Sequence, residues 1–178
     1  WLVYQPNADR PFETFVDSSW CAKFSCSGAF YLFHGCPFFW FSKTQKSVTL
    51  SSAEAEYFGA MMASRDSLFL LEVILDLLID APSPLVIYCD SQSAIKLTFD
   101  PVAFKNTKHI LRAAYFLRDL TARQVIVVKH LPGAVMIADI LTKAPARSVF
   151  LELMALLRVY AKDGIVVTKD AHSAHELP

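Results

Sequence analysis

The chain predicts an α/β fold: a five-stranded mixed sheet, three antiparallel strands and then two parallel ones, with helices on both faces. Three observations lead there. Short aromatic-rich segments joined by tight turns fill residues 12–42, and consecutive strands linked so closely pair antiparallel. A long apolar helix follows, from Ser52 to about Ile79. Beyond it, two continuous apolar strands are separated by helical segments, and such crossovers favour parallel pairing.

Taken in order, residues 1–11 carry Pro6 and Pro11 around Asn7, Asp9 and Arg10 and read as a linker or arm. Thr14–Val16 form the first strand, which ends in Asp17, Ser18 and Ser19. Gly28–His34 and Pro37–Ser42 are the next two, with Gly35 and Cys36 as the turn between them. Ser51 or Ser52 caps the long helix, and Tyr57, Phe58, Met61, Met62, Leu68, Leu71, Ile74, Leu75 and Leu78 carry it into a core. Pro82 and Pro84 close it. Leu85–Cys89 is apolar without alternation, the pattern of a strand covered on both faces, and Asp90 stands at its end. Ser91–Phe99 is a short helix and Asn106–Arg123 an amphipathic one, with Ile110, Leu111, Ala114, Leu117 and Leu120 inward. Val125–Lys129 is the fifth strand, stopped by Pro132 and Gly133. Val135–Lys143 reads as a helix carrying Asp139, and 146–161 as a terminal helix packed on the domain. Residues 162–178 are polar and read as a disordered tail.

At 178 residues and 54% hydrophobic, the chain suits one compact domain able to bury a large core. Lys+Arg 17 balances Asp+Glu 17, so no global positive field advertises nucleic acid; such a partner needs a local basic patch or bound cations. Cys21, Cys26, Cys36 and Cys89 form no C-x-x-C pair, which fits reduced thiols in an intracellular protein and argues against a zinc site. Glu72 and Asp76 interrupt the apolar run at 68–79, so it does not read as a membrane span, and no signal peptide is visible. The absence of an initiator methionine reads as a fragment of a longer chain, or one whose first residues are missing.

Four acids converge on one edge of this sheet: Asp17, Glu56, Asp90 and Asp139. Singly, each has a plainer reading. A strand-end Asp is commonly a turn former, Asp90 before SQSA is a good helix cap, and Glu54 or Glu56 favours the positive end of its helix. Together they repel one another, at a cost that cations offset. Oxygen ligands of this kind suit Mg²⁺ or Mn²⁺, and a pair of such ions can activate water and steady the leaving oxygen of a phosphodiester.

SKTQKSVTLSSAEAEYFGA, IYCDSQSAI, NTKHI and ADILTK, in this order, resemble the ribonuclease H domain of copia-type LTR retrotransposon polyproteins. The resemblance covers about residues 12–145. It implies a ribonuclease H-like fold and hydrolysis of the RNA strand of RNA/DNA hybrids during reverse transcription, leaving 5′ phosphates. By the same resemblance Asp17, Glu56, Asp90 and Asp139 are both catalytic and metal-binding, holding two Mg²⁺ ions, with Mn²⁺ as a substitute. EYFGA fits the helix motif better than EAEYF, which selects Glu56 and leaves Glu54 a solvated neighbour. The implied partners are the hybrid, read by its shape and 2′-hydroxyls, and an upstream reverse transcriptase domain of the same polyprotein, with no membrane. The implied location is intracellular: a cytoplasmic retroelement particle, with the nucleus as the alternative.

Accessory residues are read from position alone. His130, at the end of the last strand, is a candidate proton shuttle. Ser51, Ser52, Gln92 and Ser93 open helices beside the acids, where a sugar-phosphate backbone would find donors, although capping explains them equally. Lys43, with Lys23 and Lys46, offers a local basic patch, and Lys108 and His109 are candidate phosphate contacts. Among Phe38, Phe39, Trp40 and Phe41, strand alternation makes half core, so a stacking platform is a minor reading. Two other functions stay open: a catalytically inactive or repurposed module that binds nucleic acid or acts as a scaffold, and a different metal-dependent nucleotidyl chemistry such as strand transfer.

Overall fold

A computed structural model of the chain describes residues 4–21, 23–99 and 111–159. Its five strands lie in the order β3-β2-β1-β4-β5. They are β1 (Phe12–Ser19), β2 (Cys26–Phe33), β3 (Cys36–Thr44), β4 (Leu85–Cys89) and β5 (Ile126–His130). β1 pairs antiparallel with β2, and β2 with β3, whereas β1 with β4 and β4 with β5 are parallel. This is the expected mixed sheet. β1 is longer than expected because its residues are buried almost throughout and β2 pairs along its whole length. The hairpin between β2 and β3 turns on His34 and Gly35, not Gly35 and Cys36. Both have positive φ, 51° and 74°, as a two-residue hairpin turn of matching twist requires.

Among the described residues four α-helices accompany the sheet: α1 (Ser52–Asp76), α2 (Gln92–Phe99), α3 (Leu111–Ala122) and α4 (Arg147–Leu156). Alternation along β1 sends Phe12 and Val16 to one face and Phe15 to the other. The first face packs Val16, Tyr31, Ile87 and Val128 against Tyr57, Ala60, Ile74 and Leu117 of α1 and α3. The second packs Phe15, Phe30, Leu32 and Tyr88 against Leu131, Met136, Ile137, Leu153 and Leu157. α1 ends at Asp76, earlier than the apolar pattern suggests, because Leu77 and Leu78 leave the helix, Leu78 with φ 58°. Val135–Lys143 is not the helix expected but two 3-10 turns, Gly133–Val135 and Ile137–Leu141. The arm at 4–11 is tied down: the Asn7 amide donates to the His34 carbonyl at 2.8 Å, and the His34 amide to Pro11. Residues 160–178, Lys108, His109 and the start of the 106–123 segment lie outside the described residues.

No described helix is long and apolar enough to cross a membrane.

Candidate metal-binding active site

Register brings the acids together. Val16 of β1 is paired with Cys89 of β4, so Asp17 and Asp90 leave adjacent parallel strands side by side at the carboxyl edge. Asp139 reaches the same edge from the second 3-10 turn, whose Leu141 packs against Gly28; a Cβ on Gly28 would lie only 2.5 Å from Leu141 Cβ. One oxygen each of Asp17, Asp90 and Asp139 lie within 4.8 Å of one another. Glu56 arrives from the first turns of α1 on the other face, and it, Cys89 and Asp90 form a second group within the same limit. Asp90 is common to both, so all four predicted acids meet in one place.

Each acid is held by identifiable partners. Asp17 is fully buried; Thr142 Oγ1 donates to its Oδ2, and Lys143 Nζ lies 3.2 Å from its Oδ1. The same ammonium reaches Asp139 Oδ1 at 3.0 Å. Glu56 Oε1 accepts the Ser18 amide at 3.2 Å, and the Cys89 thiol faces Oε2 at 3.9 Å. The electrostatics carry the expected tension. Burial first, then Asp17 and Asp90, push the Glu56 carboxyl up to about 9. Asp90 and Asp139 are also raised, again by burial foremost, with Asp17 adding and Lys143 opposing. Burial works against the Lys143 charge, yet Asp17 and Asp139 outweigh it and hold the ammonium well above the usual lysine range. Cys89 is raised by burial and by Glu56, which keeps it a neutral thiol.

The accessory residues divide. Ser51 is the cap of α1, accepting the Glu54 amide at 3.2 Å, and Ser52 is the exposed first helical residue. Glu54 is not the solvated neighbour expected: it is buried and accepts the Leu50 amide at 2.7 Å, closing the cap from the other side. At α2 the cap is Ser91, whose Oγ accepts the Ala94 amide at 3.1 Å, so Asp90 is not spent on capping. Gln92 and Ser93 are exposed in the first turn just after it. His130 ends β5 opposite Cys89, exposed, and lowers the pKa of Asp90 by its charge. Lys43 lies out on β3 with its ammonium 5.1 Å from the Phe41 ring centroid. Phe41 is core and Phe38 packs on its edge, while the neighbours Phe39 and Trp40 are both exposed: half are buried as expected, but not in strict alternation, because a register shift opposite Tyr31 and Leu32 inserts Phe38 as an extra residue.

Sequence reasoning missed Lys143, Thr142 and Cys89. The first had a signal: Asp139 and Lys143 stand four apart in ADILTK, the spacing of an ion pair on a helical turn.

The sheet order and the acids at its carboxyl edge define the class: this is a ribonuclease H fold. Solved structures agree. The ribonuclease H1 called LC11, isolated from compost, matches with a TM-score of 0.56 at 15% identity over 74% of this chain and 92% of that one. The enzyme from Halobacterium salinarum NRC-1 matches with a TM-score of 0.51 at 18% identity, over 74% and 93% of the two chains. The sequence carries the family further. The Pol polyprotein of transposon RE1 from Arabidopsis thaliana is 36% identical over 120 residues, 67% of this chain. That of transposon TNT 1-94 from Nicotiana tabacum is 33% identical over 126 residues, 71% of this chain. The chain belongs to the retrovirus-related Pol polyproteins of copia-type retrotransposons, as their ribonuclease H domain. It spans only 8% to 9% of the length of these relatives. No protein-family profile matches it.

Proposed function

We propose that this domain hydrolyses the RNA strand of RNA/DNA hybrids within a retroelement polyprotein, using Asp17, Glu56, Asp90 and Asp139 to hold two divalent ions. The observation that carries the reading is the meeting of these four acids at the sheet edge with Lys143 as their ion-pair partner among the described residues. The donor set fits the group: carboxylate oxygens arrive from β1, α1, the end of β4 and the second 3-10 turn, and burial with mutual repulsion raises Glu56, Asp90 and Asp139, a tension that a hard divalent ion offsets. Mg²⁺ suits these oxygens, with Mn²⁺ as a substitute. Bound there, such ions supply a water of lowered pKa and a charge to balance the leaving oxygen.

The chain's own residues do the rest. Asp17, fully buried between Thr142 and Lys143, fixes the floor of the site. The Ser18 amide aims Glu56, and α1 behind it restricts its swing. Asp90, half-buried at the strand mouth, faces incoming substrate, with His130 on the neighbouring strand as the group that exchanges a proton with solvent. Exposed Ser52, Gln92 and Ser93 flank the acids where a phosphate backbone would lie. LC11 ribonuclease H1 has been solved with an RNA/DNA hybrid, which supports the same substrate here. In this reading residues 12–145 are the catalytic unit, residues 1–11 lead from an upstream reverse transcriptase domain, and the work is done in a cytoplasmic particle.

With Mg²⁺ the domain is expected to cut the RNA of a hybrid, leaving 5′ phosphates, and to spare duplex DNA. Asp90→Asn should lower the rate by about a hundredfold or more while its circular dichroism is unchanged. A variant that still cuts at the parent rate would sink the mechanism. Binding of hybrid without any cleavage by the parent chain would instead make it an inactive nucleic-acid-binding module.

A further inference from the structure

A cation already stands among the carboxylates. Lys143 Nζ is 3.2 Å from Asp17 Oδ1 and 3.0 Å from Asp139 Oδ1. Thr142 Oγ1 takes the other oxygen of Asp17, so consecutive residues of one turn engage that whole buried carboxylate. Both oxygens of Asp17 and one of Asp139 are already engaged, so a divalent ion shared by the two acids competes with the ammonium for them. Two cations packed against the same oxygens in a partly desolvated site repel strongly. The lysine has somewhere to go: its side chain is 42% exposed, whereas that of Asp17 is at 0%. Its backbone is fixed, because the Lys143 amide donates to the Asp139 carbonyl at 2.9 Å. Any displacement therefore belongs to the side chain, which has a long flexible stem.

We propose that Lys143 is a built-in counter-cation, joining Asp17 to Asp139 in the metal-free protein and swinging out to solvent when a divalent ion binds. The proposal rests on reading the four acids as a metal site. In the metal-free state Lys143 compensates a buried carboxylate and keeps Asp139 drawn towards Asp17. In exchange it competes with the metal, and linkage makes that competition reciprocal: whatever the lysine costs the ion, the ion costs the lysine's ion pairs. A lysine that merely decorates the rim would show neither effect.

The test uses Mn²⁺ as the probe. Calorimetric binding to the parent chain and to Lys143→Met should show the variant binding about threefold tighter or more. Without metal the variant should melt lower than the parent, and its gain in melting temperature with Mn²⁺ should be the larger. Acetylation of Lys143 in the parent, followed by mass spectrometry, should speed up several-fold at saturating Mn²⁺, while exposed Lys96 on α2 serves as the unaffected control. Equal or weaker Mn²⁺ binding by Lys143→Met, or a Lys143 acetylation rate indifferent to Mn²⁺, overturns the proposal and leaves the metal site standing. If neither protein binds Mn²⁺, the metal reading falls and this inference with it. Should Lys143→Met fail to fold, Lys143→Gln replaces it, and the labelling of the parent decides without a variant.

Discussion

Glu56 concentrates the conflict of the site in one side chain. The unfolded chain releases its proton near the usual 4.5, but the folded protein retains it to about 9. Between those values the native state binds more protons than the unfolded one, so stability falls as pH rises across that window. Asp90 and Asp139, raised in the same direction, add to the fall at its acid end. Urea midpoints of the metal-free domain, taken through this range, should therefore decline with pH, and Glu56→Gln should flatten the decline. An equal slope in the variant would show that another group is responsible. The first turns of α1 also show what a local sequence leaves undecided. Residues 54 and 56 differ by about 200° around a helix axis, so they must do different work. Family resemblance chose Glu56 for the site, but only the packed structure put Glu54 to use in the cap rather than in solvent.

α1 comes unusually close to β1 and β2, and Gly59 is the reason. A Cβ there would overlap Ser18 Oγ and lie 3.2 Å from Ser27 Oγ and 3.4 Å from Val16 Cγ2. The contact is polar as well as tight: Ser18 and Ser27 share a hydrogen bond of 2.8 Å, and Gln45 Nε2 ties Ser27 to the Ala55 carbonyl. Further along, Thr14 and Ser67 meet at 2.8 Å. This seam carries the Ser18 amide that aims Glu56. Gly→Ala at an exposed helix position gains about 1 kcal/mol, whereas overpacking costs about 1–3 kcal/mol. At Gly59 the second term should win, lowering both the denaturation midpoint and the cleavage rate. A stabilised Gly59→Ala protein would mean that the helix can retreat without harm. Strand identities were legible because aromatic and β-branched runs have few alternatives. The stretch at 133–141 was not: its apolar spacing fits a helix, yet the need to bring Asp139 to the sheet edge beside Gly28 is met by 3-10 turns.

For the whole molecule, balanced charge and a concentrated acidic site make cations part of the stability of the fold. An ion that binds the native state alone stabilises it by about 2.7 kcal/mol at a hundred times its dissociation constant. Thermal melts should thus move upward with Mg²⁺ and return with a chelator, and Asp90→Asn should blunt the shift. A melting temperature indifferent to Mg²⁺ would argue against any specific site. The two-faced sheet explains how the site can be both rigid and open. One cluster sets α1 and α3 behind Glu56, the other sets α4 and the 3-10 turns behind Asp139, and where the acids meet Asp17 and Glu56 are buried while Asp90 and Asp139 stay partly exposed.

The sequence by itself determined the periodicities, the crossovers and the acids at element ends, because backbone geometry allows few solutions for such patterns. Those features sufficed for the mixed sheet and pointed to acids at its edge, whereas the choice of Glu56 over Glu54 came from the family resemblance. Tertiary structure alone decided what lies between residues far apart in the chain. Lys143 and Thr142 meet Asp17 across 126 and 125 positions, and Ser18 meets Glu56 across 38. No local pattern encodes such encounters, since they follow from strand register and from how closely a glycine lets a helix approach the sheet.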